Sequence, residues 1–93
     1  MIAFTREIVI QNQLGLHARA ASQLVQLTAR FAVKVEIGRP DLMVNAKSIM
    51  GVLMLAAAKG TTLQLVAKGD EGVCTEALDA LCALIDDKFG EGS

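Results

Sequence analysis

The stretch that most constrains this chain is VKVEIGRPDLMVNA, residues 33 to 46. Val33, Val35 and Ile37 alternate with Lys34, Glu36 and Gly38, the period-two pattern of a strand with one buried face. GRPD follows, and a proline before an aspartate is turn chemistry. LMVNA then supplies a second short strand. Two strands joined by so short a turn pair antiparallel. Whatever else the chain does, it has to complete an antiparallel sheet around this hairpin and cover the sheet's apolar face.

The flanking segments supply the rest. Residues 2 to 10, IAFTREIVI, place Ile2, Phe4, Ile8 and Ile10 as a half-buried strand, and QNQLG is a polar loop containing a glycine. From Ala18 to Arg30 the apolar residues Ala20, Ala21 and Leu24, then Leu27 and Phe31, recur at helical spacing. In AKSIMGVLMLAAAKG, Ser48 can cap a helix that Gly60 ends, and the interior Gly51 argues for a short one. TTLQLVAKG is a fourth strand with Leu63 and Leu65 on one face. DEGVCTEALDALCALIDDKFG carries acids at its start, a stripe of Val73, Ala77, Leu81 and Ile85, and Lys88 near its end, all suiting a final helix. The order is strand, helix, strand, strand, helix, strand, helix. It predicts an α+β sandwich, an antiparallel sheet covered on one face by amphipathic helices. Periodicity does not reach the strand order.

Ninety-three residues suit one domain, 1–93, because so short a chain closes only a single modest core. The longest apolar run, GVLMLAAA, is far short of the roughly 20 residues that span a bilayer, so no membrane insertion is expected. The opening MIAFTREIVI has Glu7 inside its apolar stretch and no basic leader before a long hydrophobic block, which makes the cytoplasm the expected compartment. Cys74 and Cys82 stand two helical turns apart, about 12 Å of rise, too far for a disulfide. With a single histidine elsewhere, spacing assembles no metal site and no cofactor is expected. Residues 1–68 carry eight Lys/Arg and three Asp/Glu, a net of +5, whereas residues 69–93 carry one and seven, a net of −6. That asymmetry suits an acidic protein partner or a phosphate. Nucleic acid is not expected, since the basic residues are scattered and no Trp or Tyr offers a stacking platform.

The only histidine, His17, lies in QNQLGLHARAAS where the polar loop becomes an alanine-rich helix. A first helical turn has backbone N–H groups without partners, and with the positive end of the dipole they form an anion site. A neutral imidazole there has a nucleophilic nitrogen at cytoplasmic pH. Arg19 could bring guanidinium donors to a phosphate, and Gly15 lets the loop bend. These parts suit transient phosphorylation rather than hydrolysis, because no Ser/His/Asp or metal constellation accompanies them.

LGLHARAA, together with the later NAKSIMGVLMLAAAKG, resembles the histidine-containing phosphocarriers of the bacterial phosphotransferase system, the HPr family with its nitrogen-branch NPr relatives. The two motifs occur in the family's order and separation, and the element order extends the resemblance over essentially the whole chain. The resemblance implies an open-faced β-sandwich in which a four-stranded antiparallel sheet of order 1-4-2-3 lies under three helices. It implies phosphorylation of His17 on Nδ1 by phosphorylated enzyme I and transfer to an EIIA-type protein, in a sugar-uptake or a nitrogen-linked regulatory branch. It implies phosphate-stabilising roles for Ala18 and Arg19, and a monomer. One departure stands out: the family motif reads His-x-Arg-Pro-Ala, and Ala20 occupies the proline position. Alanine is an excellent helix former, so it preserves the helix with a less rigid start.

Ser48 has two readings, a helix cap and the serine that some HPr proteins present to a regulatory kinase, HPr kinase/phosphorylase. The helix after it is apolar nearly all round, more than one small sheet can bury, so part of it is expected to dock partners. The expected docking residues are Ile49, Met50, Gly51 and Leu53, with Ala20 beside them and Gln23, Lys47 and Arg19 as a polar rim. The competing function is a non-catalytic docking module switched by Ser48 phosphorylation with His17 idle.

Overall fold

The computed structural model of the chain describes residues 2–92, so Met1 and Ser93 of the expected 1–93 domain lie outside the described residues. Its elements are β1 (Ala3–Val9), α1 (Ala18–Thr28), β2 (Lys34–Arg39), β3 (Leu42–Asn45), α2 (Ile49–Met54), β4 (Thr62–Lys68) and α3 (Glu71–Asp86), then a 3-10 turn, Lys88–Gly90. The alternating segment forms the hairpin its pattern predicts, with Ile37 opposite Val44 and Arg39 opposite Leu42. All strand pairs are antiparallel, and the sheet order is β1-β4-β2-β3.

Register explains which face is buried. Leu63, Leu65 and Ala67 of β4 stand opposite Ile8, Arg6 and Phe4 on one side, and Leu65 and Ala67 stand opposite Ile37 and Val35 on the other. These even-spaced positions make one apolar layer, against which Ala21 and Leu24 of α1 and Ala77, Leu81 and Ile85 of α3 are fully buried. Arg6 interrupts the layer at the edge strand, where its guanidinium reaches Asp79 of α3 at 2.7 Å. The opposite face, with Thr5, Glu7, Thr62 and Gln64, is exposed. No helix among the described residues is long and apolar enough to cross a membrane.

Three helix ends differ from the sequence expectation. The second helix stops at Met54 instead of running to Gly60. Ala56 has φ +47°, Arg39 donates to the Leu55 carbonyl at 3.2 Å, and the buried Ala57 offers its carbonyl to the Leu16 N–H at 2.9 Å. Tertiary hydrogen bonds to Arg39 and to the loop at Leu16 thus override the high helix propensity of three successive alanines. The first helix ends at Thr28, whose hydroxyl turns back to the Leu24 carbonyl at 2.7 Å. The last helix ends at Asp86, and Lys88 and Phe89 adopt left-handed φ of 56° and 53°. Lys88 therefore does not complement the helix dipole. What favours the sharp exit is burial of the Phe89 ring, 2% exposed, which offsets two left-handed residues at about 1–2 kcal/mol each.

Candidate functional site

The loop from Asn12 to Leu16 sets the geometry. Leu16 is buried and fixed by its N–H bond to Ala57. Gly15 sits at φ +67°, and a Cβ there would stand 2.4 Å from the Ala57 carbonyl oxygen. Only glycine fits both the conformation and the space. Asn12 is fully buried; its amide donates to the Gly15 carbonyl at 2.8 Å and to Oε1 of Glu91 at 3.1 Å. Its Oδ1 has no partner among the described residues. We expect Gly15→Ala to lose at least about 1–2 kcal/mol from the left-handed backbone alone, and more from the clash. Thermal unfolding should show this as a lower Tm, and an unchanged Tm would mean that the loop repacks freely.

That loop delivers His17 to the N-cap position of α1, with φ −72° and ψ 176° and no side-chain capping bond. The first helical N–H with an intrahelical acceptor is that of Ala21, on the His17 carbonyl at 2.9 Å. The N–H groups of Ala18, Arg19 and Ala20 precede it and have no backbone acceptor among the described residues. Such unpaired first-turn donors, next in sequence to the imidazole, are the arrangement that can hold an anion.

The ring's own partner comes from the far end of the chain. Nε2 of His17 lies 2.6 Å from Oε2 of Glu91, with side-chain exposures of 28% and 11%. The Glu91 carboxyl is held below its usual range, chiefly by the His17 hydrogen bond, with smaller help from Asn12 and from the charges of His17 and Arg19, against the opposing effect of burial. It is ionised at neutral pH and can only accept hydrogen bonds. Nε2 must carry the ring proton. In the neutral imidazole, Nδ1 then keeps its lone pair, with no hydrogen-bond partner among the described residues.

The other sequence-predicted residues are placed as follows. Ala18 and Arg19 are exposed in the first turn, and Gln23 is half-buried one turn further on. Ser48 caps α2 by accepting from the Gly51 N–H at 3.1 Å. Lys47 is exposed and donates from Nζ to the Phe31 carbonyl at 2.8 Å, so it marks the end of α2 remote from Leu16. Ile49 and Met50 are 41% and 72% exposed; Gly51 and Leu53 are half-buried. Ala20 is corrected: it is completely buried, and its side chain belongs to the core rather than to any docking surface. The sequence reading missed Leu14 and Met54, 68% and 66% exposed, and it missed Asn12 and Glu91. Met54, four residues after Met50, was legible from helical spacing. Glu91 left no signal, being 74 residues from its histidine.

A family profile described as PTS HPr component phosphorylation site matches residues 4–87. The phosphocarrier protein HPr of Pseudomonas putida is 51% identical over 88 residues, covering 94% of this chain and 96% of that protein. The phosphocarrier protein NPr of Shewanella violacea is 42% identical over 93 residues, covering all of both chains. Among solved structures, HPr-C-His from Thermoanaerobacter tengcongensis superposes with a TM-score of 0.87 at 41% identity, again over all of both chains.

Proposed function

The chain belongs to the HPr family of phosphocarrier proteins of the bacterial phosphotransferase system, and from that premise we propose that His17 accepts a phosphoryl group on Nδ1 from phosphorylated enzyme I and delivers it to an EIIA-type protein. The observation that carries this reading is the contact of Nε2 with a carboxylate, which leaves Nδ1 as the ring nitrogen with an available lone pair. In acceptance, that lone pair attacks phosphorus, the Nδ1–P bond forms, and the donor's N–P bond breaks with its electrons returning to the donor's imidazole. Donation to the acceptor reverses these roles. The free N–H groups of Ala18 and Arg19 and the Arg19 guanidinium supply donors to the phosphoryl oxygens. In this reading the protein acts as a cytoplasmic monomer.

The test is incubation of the protein with enzyme I and phosphoenolpyruvate, followed by mapping of the modified residue. One acid-labile phosphate on His17 is expected; label on another residue, or none, would remove the reading. Arg19→Ala should slow transfer by about tenfold, the loss of one charge-assisted hydrogen bond of about 1.5 kcal/mol. Arg19 is exposed, so Tm should hardly move. An unchanged transfer rate with a large drop in Tm would make Arg19 a structural residue.

Ser48 is proposed as the serine presented to HPr kinase/phosphorylase. Its hydroxyl already accepts from Gly51 N–H, so phosphate oxygens would meet a donor in the same place. The helix would keep its cap while its surface gained roughly −1.5 to −2 charges.

A further inference from the structure

We propose that Glu91, fixed by Asn12, is a positioning residue for phosphoryl transfer: its carboxylate holds the ring proton of His17 on Nε2 and faces the positive ring once Nδ1 carries phosphate. This role rests on the reading of His17 as phosphoryl acceptor and goes beyond it, because it assigns the choice of nitrogen to a residue at the other end of the chain. Three observations converge on it. The carboxylate is bidentate in use, with Oε2 on His17 at 2.6 Å and Oε1 on the Asn12 amide at 3.1 Å. Asn12 is itself fully buried and anchored to Gly15, so the carboxylate is held by the same loop that aims the histidine. The segment carrying Glu91 is not a loose end: Phe89 is buried and the Glu91 N–H closes a turn on the Lys88 carbonyl at 2.9 Å.

The chemistry makes direct use of such a partner. A neutral histidine interconverts between two tautomers, and only the one with its proton on Nε2 has a lone pair on Nδ1. When Nδ1 attacks, the Nδ1–P bond forms while the donor's N–P bond breaks and its electron pair stays on the donor's ring. No proton moves, so His17 becomes a phosphorylated imidazolium with its Nε2–H still directed at Glu91. The positive charge thus develops against a fixed negative one, on the ring edge away from the incoming phosphoryl group. Carboxylates that orient a metal-ligating histidine through its second nitrogen matter by about ten- to a hundredfold, and the lower end of that range is the effect expected here.

The experiment compares the full-length chain with Glu91→Gln, a near-isosteric change at a side chain only 11% exposed, and with Asn12→Ala. Nitrogen-15 shifts of the imidazole are recorded above the unperturbed titration range of histidine, and enzyme I-dependent phosphorylation is measured in parallel. In the parent chain, Nε2 should show the shift of a protonated nitrogen and Nδ1 that of an unprotonated one. In Glu91→Gln the two shifts should move toward each other, and kcat for phosphoryl acceptance should fall about tenfold with KM for enzyme I nearly unchanged. Asn12→Ala should move the shifts in the same direction, and Glu91→Asp should recover part of the loss. If Glu91→Gln leaves either the shifts or kcat unchanged, the positioning role is wrong. A faster variant would also overturn it, since the carboxylate would then be repelling the phosphoryl donor. If the parent chain itself takes no phosphate on His17, the acceptor reading fails and this role falls with it.

Discussion

His17→Ala is expected to accept no phosphate from enzyme I while folding as the parent chain does. The transfer reading rests on one nucleophilic nitrogen, and nothing else in the first turn of α1 can replace it: Ala18 and Ala20 have no nucleophile and Arg19 remains protonated. The fold, by contrast, makes little use of the imidazole. Among the described residues, His17 has no capping bond to α1 and its single side-chain partner is Glu91. Losing that one bond should lower Tm by several degrees without unfolding a domain of this size. The helix start itself is held by buried Leu16, Ala20 and Ala21, none of which touches the reacting atom's chemistry. Labelling with enzyme I and phosphoenolpyruvate, together with a melting curve, checks both halves. Stoichiometric labelling of the variant would sink the assignment of His17, and a chain that no longer folds would show that the histidine is a structural residue after all.

How much of this was legible in the sequence depends on how local each determinant is. The hairpin of β2 and β3 was written in the alternation of Val33, Val35 and Ile37 and in the turn after Gly38, because period-two burial is a local pattern. Ser48 was legible as a cap for the same reason: its acceptor role reaches only three residues ahead. The start of α1 at His17, with its unpaired first-turn N–H groups, could be read from the loop-to-helix boundary. Strand order could not be read from periodicity, since β4 lies between β1 and β2 through pairings over long separations; it came from the family resemblance. The alanines at 56–58 were misread as helix because propensity is local, whereas the bond from Leu16 to Ala57 that holds them open is not. Ala20 was misplaced on the docking face although its spacing to Leu24 and Leu27 sets it on the buried stripe of α1, so the pattern that corrects it was present in the sequence. Glu91 was invisible for the strongest reason. Its position depends on left-handed residues at 88 and 89 and on the burial of Phe89, and neither leaves a pattern in the chain.

The largest effect away from the histidine should come from Met50→Glu, which is expected to weaken binding to both enzyme I and the EIIA-type acceptor by roughly 30- to 150-fold while leaving the fold intact. Met50 is 72% exposed and Met54, one helical turn later, is 66% exposed, whereas Val52 and Leu55 on the other side of α2 are buried. The helix is therefore split into a core face and an unsatisfied apolar face. Its outer end joins the histidine loop through Ala57 and Leu16, and the exposed cations Arg19 and Lys47 flank the two ends of the patch. An apolar centre with a basic rim suits an acidic partner that must also cover the imidazole, and flexible methionines suit more than one such partner. A carboxylate at position 50 would be desolvated without a counter-charge and would meet acidic side chains across the interface, at a cost of about 2–3 kcal/mol. Because Met50 contributes little to the core, its replacement should leave the stability within about 0.5 kcal/mol of the parent's. Phosphate on Ser48, two residues before Met50, should act in the same direction. Titration of labelled protein with each partner, followed by NMR, decides the matter: Met50→Glu that folds normally and binds both partners with unchanged affinity would place the docking face elsewhere on the molecule.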